Sequence, residues 1–193
     1  MKQFAIAIGC AICLALAGCS ETPTKTAATK KAEEKPPEPV TGRDALYKMF
    51  SAARAWSADV QVLKLNSINL PEVKAVPGKA AAWQVTFISP AKGRARSWTY
   101  SVVEGEGNLH KGVFAGLEEP WSGPRGVTKP MIIQAVQTDT DQAYKTALEK
   151  GAAYDKKNPG KTISFILEAG NKHPNPTWRS EEHTSELQSL SHL

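Results

Sequence analysis

The run Ala81-Ala82-Trp83-Gln84-Val85-Thr86-Phe87-Ile88 leaves the chain few folding options. Apolar Trp83, Val85 and Phe87 alternate with polar Gln84 and Thr86, the period of two that puts one face of a β-strand in a core. A turn signal, Ser89-Pro90-Ala91-Lys92-Gly93, comes next. Arg96–Val103 then alternates the same way, with Trp98, Tyr100 and Val102 against Ser97, Thr99 and Ser101. The pattern predicts an antiparallel hairpin with one aromatic face buried.

Upstream, Thr41-Gly42-Arg43-Asp44 reads as a capping box, and Leu46, Met49, Phe50, Ala53 and Trp56 recur at helical spacing. Val60–Leu70 alternates as a strand and is broken by Pro71 and by Pro77-Gly78. Downstream of the hairpin, Gly105–Gly126 is glycine-rich and reads as irregular, interrupted by the short apolar run Gly112–Gly116. Thr128-Lys129-Pro130 with Met131, Ile132, Ala135 and Val136 fits either a short helix or a buried strand. Thr138-Asp139-Thr140-Asp141 repeats the capping pattern ahead of a helix carrying Tyr144, Ala147, Leu148 and Tyr154, ended by Asn158-Pro159-Gly160. Thr162–Ala169 is a strand, Gly170–Pro176 a turn, and Thr177-Trp178 opens another strand.

Two halves emerge. Thr41-x-x-Asp44-x-x-Tyr47-Lys48 matches Thr138-x-x-Asp141-x-x-Tyr144-Lys145, and each half continues to a strand led by Trp83 or Trp178. The expected fold is α+β, two tandem helix-strand-strand units with helices on one face of antiparallel sheets, the second truncated. These units and their Trp-led strands resemble PepSY-like bacterial envelope lipoproteins. The resemblance spans Thr41 to Trp178, implies a binding or inhibitory role, and carries over no functional residue.

The first residues point to the envelope as well. Lys2 precedes an apolar stretch, Phe4–Leu16, too short to span a bilayer as a helix and suited to a signal peptide. Leu16-Ala17-Gly18-Cys19 resembles the lipobox of bacterial lipoproteins. That resemblance implies cleavage before Cys19, lipidation there, and, with Ser20 next, an outer-membrane address facing the periplasm if the cell has two membranes. The three cysteines are Cys10, Cys13 and Cys19, so the mature chain would hold no disulfide. Ser20–Val40 is rich in Thr, Ala, Lys, Glu and Pro and reads as a disordered tether, reaching about 25 Å as a coil and about 70 Å at full stretch. At the other end, Arg179–Ser189 resembles, residue for residue, a translated sequencing-library adapter. Residues 179–193 are therefore expected to be non-native, leaving an unpaired strand edge at Ile163–Leu167. The organisation expected is 1–18 signal peptide, 19–40 lipidated cysteine and tether, 41–116 first unit, 117–137 connection, 138–178 second unit, and 179–193 tail.

Candidate chemistry is sparse. His110 and His173 have no His, Cys or acidic partner at metal-ligand spacing, and no motif calls for a cofactor. Gly105-Glu106-Gly107-Asn108-Leu109-His110 places histidine where a dinucleotide fingerprint needs glycine. Asp155 stands at the leading position of a phosphate-loop-like run ending Gly160-Lys161-Thr162. Glu104, Glu106, Glu118 and Glu119 supply carboxylates for a cell-wall hydrolase if they face one another. Lys92, Arg94 and Arg96 beside Trp98 and Tyr100 form either a solvated hairpin tip or a patch for anionic lipid or wall polymer. Trp121, between Pro120 and Pro124, fits a rigid recognition loop or a ring folded onto the core. The reading that results is a lipid-anchored, non-enzymatic module for an envelope protein or peptide, not for nucleic acid. Its candidate contacts are Arg94, Arg96 and Trp121; a cell-wall hydrolase and a purely structural lipoprotein are the alternatives.

Overall fold

A computed structural model describes residues 36–107, 109–124, 126, 128–157 and 163–181, with the backbone alone at 150–155, 157 and 181. The leader, Cys19, the tether to Lys35, Gly160-Lys161-Thr162 and residues 182–193 lie outside these.

The protein is mixed α+β, with two helices and a seven-stranded antiparallel sheet. Helix α1 spans Gly42–Trp56 and begins as its sequence specifies, the Thr41 hydroxyl accepting the Asp44 amide at 3.4 Å. Gly42, Ala45, Leu46, Met49 and Ala53 form its buried stripe. The strands are β1 (Gln61–Ile68), β2 (Ala82–Ser89), β3 (Arg94–Ser101), β4 (Gly112–Pro120), β5 (Thr128–Lys129), β6 (Ser164–Gly170) and β7 (Thr177–Glu181). Helix α2 spans Thr140–Lys157. Trp83, Val85 and Phe87 of β2 are fully buried, and their partners across the hairpin are Tyr100, Trp98 and Arg96. The aromatic face predicted from alternation is the floor on which α1 lies.

Three expectations need correction. The glycine-rich stretch after β3 is not all irregular, because Val113–Pro120 pairs with β3 as β4. The ambiguous Pro130–Val136 segment is neither a full helix nor a strand. After β5, Met131 exchanges two 2.8 Å backbone bonds with Val62, and only a single 3-10 turn, Ile133–Ala135, follows. The edge at Ile163–Leu167 is not open. β6 pairs with β1 through Lys64↔Glu168, Leu65↔Leu167 and Asn66↔Ile166, and with β7 from Ser164 to Glu168. Arg179 and Ser180 continue β7, and the Arg179 guanidinium meets Glu168 at 2.6 Å. The first strand after each helix thus joins the two halves into one sheet rather than two.

The start of α2 also departs from expectation. Asp139, not Thr138, caps it: its carbonyl accepts the Ala143 amide at 3.0 Å and its Oδ1 the Thr140 amide at 2.7 Å. The tertiary neighbours explain the shift by one residue. Thr140 is fully buried, its hydroxyl accepting the Gly42 amide at 2.9 Å and donating to the Gly78 carbonyl at 2.6 Å. Asp139 Oδ1 also accepts the Arg43 amide at 3.0 Å, so one side chain serves two helix N-termini.

Trp83 and Trp178 meet over this junction, edge to face, with ring centroids 6.2 Å apart at 71°. The Trp83 indole donates to the Val40 carbonyl at 3.1 Å, and the Trp178 indole to the Thr138 carbonyl at 2.9 Å. Each acceptor belongs to the residue just before a helix cap. Both rings therefore bury their area without stranding a donor.

Candidate functional site

The predicted contact residues gather where α1 ends, β2 turns into β3, and β4 finishes. Gly93, at φ +60°, lets the turn close with its amide on the Pro90 carbonyl at 3.2 Å. Its own carbonyl accepts the Trp121 amide at 2.9 Å, and the Trp121 side chain is half-buried. Glu118 is the hub. Its Oε1 accepts the Trp56 indole N–H at 2.7 Å, and its carboxylate lies 3.6 Å from Arg94 and 4.0 Å from Arg96. The Lys92 ammonium donates to the Trp56 carbonyl at 2.6 Å and sits 5.4 Å from the centre of that ring. Arg96 also stacks over Trp98 at 5.2 Å. The cations read as a patch for external anions are thus spent on internal acceptors.

Arg96 has a further role. Between the Arg96↔Glu118 and Trp98↔Ala115 pairs, β3 contributes Ser97 alone while β4 contributes Gly116 and Leu117. That is a β-bulge, and Arg96 Nε donates to the Gly116 carbonyl at 2.7 Å inside it. Added to Gly116, a Cβ would stand 3.2 Å from the Ser97 carbonyl, so the strands approach closely there. The bulge thrusts Leu117 outward until it is 89% exposed. Val113 and Phe114 on the same strand are 38% and 39% exposed. No strand among the described residues pairs with the outer edge of β4.

A second cluster closes the same end. Asp59 Oδ1 accepts the Ser89 hydroxyl at 2.6 Å and the Ser57 hydroxyl at 2.7 Å, and Oδ2 accepts the Ala91 amide at 2.8 Å. These donors, Ser89 foremost, lower the carboxyl from 3.8 to about 2. The sequence signal was only a Ser-x-Asp after a helix, and its partner Ser89 is 30 residues away.

The loop carboxylates do not form one site. Glu104 accepts the Lys111 amide at 2.9 Å and meets His110 Nδ1 at 2.5 Å, a pairing across six residues that sequence spacing did not single out. These contacts, the amide first, hold the Glu104 carboxyl below its ordinary range, whereas a general acid needs it raised. Glu118 lies seven residues along the chain from Lys111, about 23 Å at strand rise, against roughly 5–9.5 Å between paired glycosidase carboxyls. Glu118 and Glu119 are adjacent in β4 and project to opposite faces. Gly105 folds back on Leu109 through a 2.9 Å backbone bond, and a strand rather than a helix follows. Among the described residues no three His, Cys, Asp or Glu side chains are placed to hold a metal. His173 lies in the β6–β7 turn, its carbonyl accepting the Gly170 amide at 2.7 Å. No family model, curated protein or solved structure matches the chain.

Proposed function

We propose that this protein is an envelope lipoprotein, anchored through Cys19, whose folded part is a non-catalytic module of two PepSY-like units that recognises a protein or peptide partner. The tandem-unit reading draws support from the two indoles, each bonded to the carbonyl just before a helix cap. In this reading residues 179–193 are translated adapter, and Arg179–Glu181 complete β7 in place of the natural residues.

The observation that carries partner recognition is Leu117. A single exposed leucine is ordinary on a protein surface, but this one, 89% exposed, shares β4 with exposed Val113 and Phe114, on a strand whose outer edge no strand among the described residues pairs, and it is held out rather than left loose. Arg96 pins the bulge and Glu118 pins the strand beyond it, so little ordering remains to oppose binding. Arg94 and Arg96 then act by positioning β4, and Leu117, flanked by Phe114, makes the contact. A photo-crosslinking benzoylphenylalanine at Leu117, compared in cells with one at exposed Glu72, tests this. An adduct with one protein from Leu117 alone is expected; equal labelling from both positions, or none, overturns it. Cys19→Ala should release the protein from membranes, and continued tight association would refute the anchor.

A further inference from the structure

A single two-fold relation connects the halves of the sheet. β1 and β6 run antiparallel, with Asn66 opposite Ile166 and Leu65 opposite Leu167. Trp83 faces Ser67 on β1, and Trp178 faces Leu167 on β6. Exchanging the halves therefore carries Ser67 onto Leu167, Asn66 onto Ile166 and Leu65 onto Phe165, about an axis through the Asn66–Ile166 pair. The image of the Leu65–Leu167 pair is then Phe165 beside Ser67, and the Phe165 amide donates to the Ser67 hydroxyl at 2.8 Å. The same axis relates Trp83 to Trp178, which pack edge to face. It also relates Gly42 to Thr140, the first residue after each helix cap, and these two share the 2.9 Å bond. Ala45 and its counterpart Ala143 are both fully buried.

β7 thus stands where β2 stands, and there the match ends. The outer edge of β2 carries β3, with Trp98 opposite Val85. Beyond β7 the described residues place no strand. Trp83, Val85 and Phe87 of β2 correspond in sequence to Trp178, Ser180 and Glu182. Val85 is fully buried, whereas Ser180 is half-buried. Leu46 of α1 is fully buried, whereas its counterpart Tyr144 of α2 is half-buried. The second half has an open edge and a half-covered helix where the first has a strand. A second copy pairing through β7 would bring only Thr177–Glu181 again, whose one large apolar side chain, Trp178, is already buried.

We propose that the outer edge of β7 takes a strand of this protein's own native C-terminal segment, the residues that follow Trp178 in the natural chain. That segment completes β7 with apolar residues at positions 180 and 182. It then turns and returns antiparallel with an aromatic opposite position 180, as Trp98 stands opposite Val85. This rests on the reading of residues 179–193 as translated adapter. Sequencing the natural gene past codon 178 should show that alternation, a turn and a second alternating run. A natural chain that continues without them, or ends before them, overturns this inference and leaves the adapter reading standing. A gene that encodes Arg179–Leu193 overturns both. The protein with its natural continuation is also compared with the present chain by hydrogen exchange and sedimentation. A monomer whose β7 amides exchange at least about tenfold more slowly is expected. Unchanged exchange overturns the inference, as does slowing that appears only on dimerisation, which would assign the edge to a second copy.

Discussion

Gly42→Ala probes the junction of the two helices at a single methyl group. A Cβ built on Gly42 stands 2.4 Å from Trp178 Cη2, 2.9 Å from Thr140 Cγ2 and 3.0 Å from Trp83 Cη2. None of the three neighbours yields freely. Each indole is tied by its N–H to a carbonyl, and Thr140 is bonded to both Gly42 and Gly78. Overpacking of this kind costs about 1–3 kcal/mol, and stretching the buried Gly42–Thr140 bond adds roughly 1 kcal/mol. Against this, alanine is favoured over glycine in helices by up to about 1 kcal/mol. The net is a destabilisation of about 2 kcal/mol, or roughly 4–8 °C in Tm for a domain of this size. Thermal and urea unfolding, followed by circular dichroism and tryptophan fluorescence, measure it. Ala55→Gly, on the exposed face of α1, isolates the propensity effect at about 1 kcal/mol. A Gly42→Ala protein as stable as the parent, or more so, would falsify the packing described at this junction.

Truncating either Trp83 or Trp178 to alanine should destabilise the domain by about 3–5 kcal/mol. The double variant should show a coupling of about 0.5–1.5 kcal/mol, and additive losses would mean the rings do not interact. Arg96→Ala removes the donor from the Gly116 carbonyl and should cost about 1–3 kcal/mol while broadening the Leu117 methyl resonances; unchanged resonances would deny Arg96 its role in the bulge. Asp59 is depressed in the folded state, so its contribution is complete above the ordinary 3.8 and fades as pH falls towards about 2. Asp59→Asn should lower the urea midpoint at neutral pH and flatten its decline between pH 4 and 2; an unaltered acid limb would contradict the clasp. Glu104→Gln should speed hydrogen exchange at the Lys111 amide, and unchanged protection there would show the loop held by other contacts.

Much of the architecture was legible because it is written in short-range patterns. α1 begins at its Thr41 cap, β2 and β3 follow the two-residue alternation, and both tryptophans are core residues. What misled was always a local signal overruled by a distant one. Thr138-x-x-Asp141 has the form of a capping box, yet Asp139 takes the cap because Arg43 and Thr140 both donate to it. Lys92, Arg94 and Arg96 look like a free basic cluster until Trp56 and Glu118, 36 and about 20 residues away, are folded against them. The four carboxylates share one loop region in sequence, but β4 separates Glu104 from Glu118. Leu117 carried no signal at all, since it stands just past the apolar run Gly112–Gly116, at the start of what reads as a connecting loop.

The sequence by itself determined both helices, the strands β1, β2, β3 and β6, and the order in which they come, because capping, periodicity and turn chemistry act over a few residues. Whether the two halves build two sheets or one depended on whether β1 would pair with β6, a choice made by backbone groups about a hundred residues apart. The exposure of Leu117 likewise depended on one extra residue in β4 and the arginine across from it. Alternation cannot reveal such a bulge, because the strand opposite decides where the register breaks.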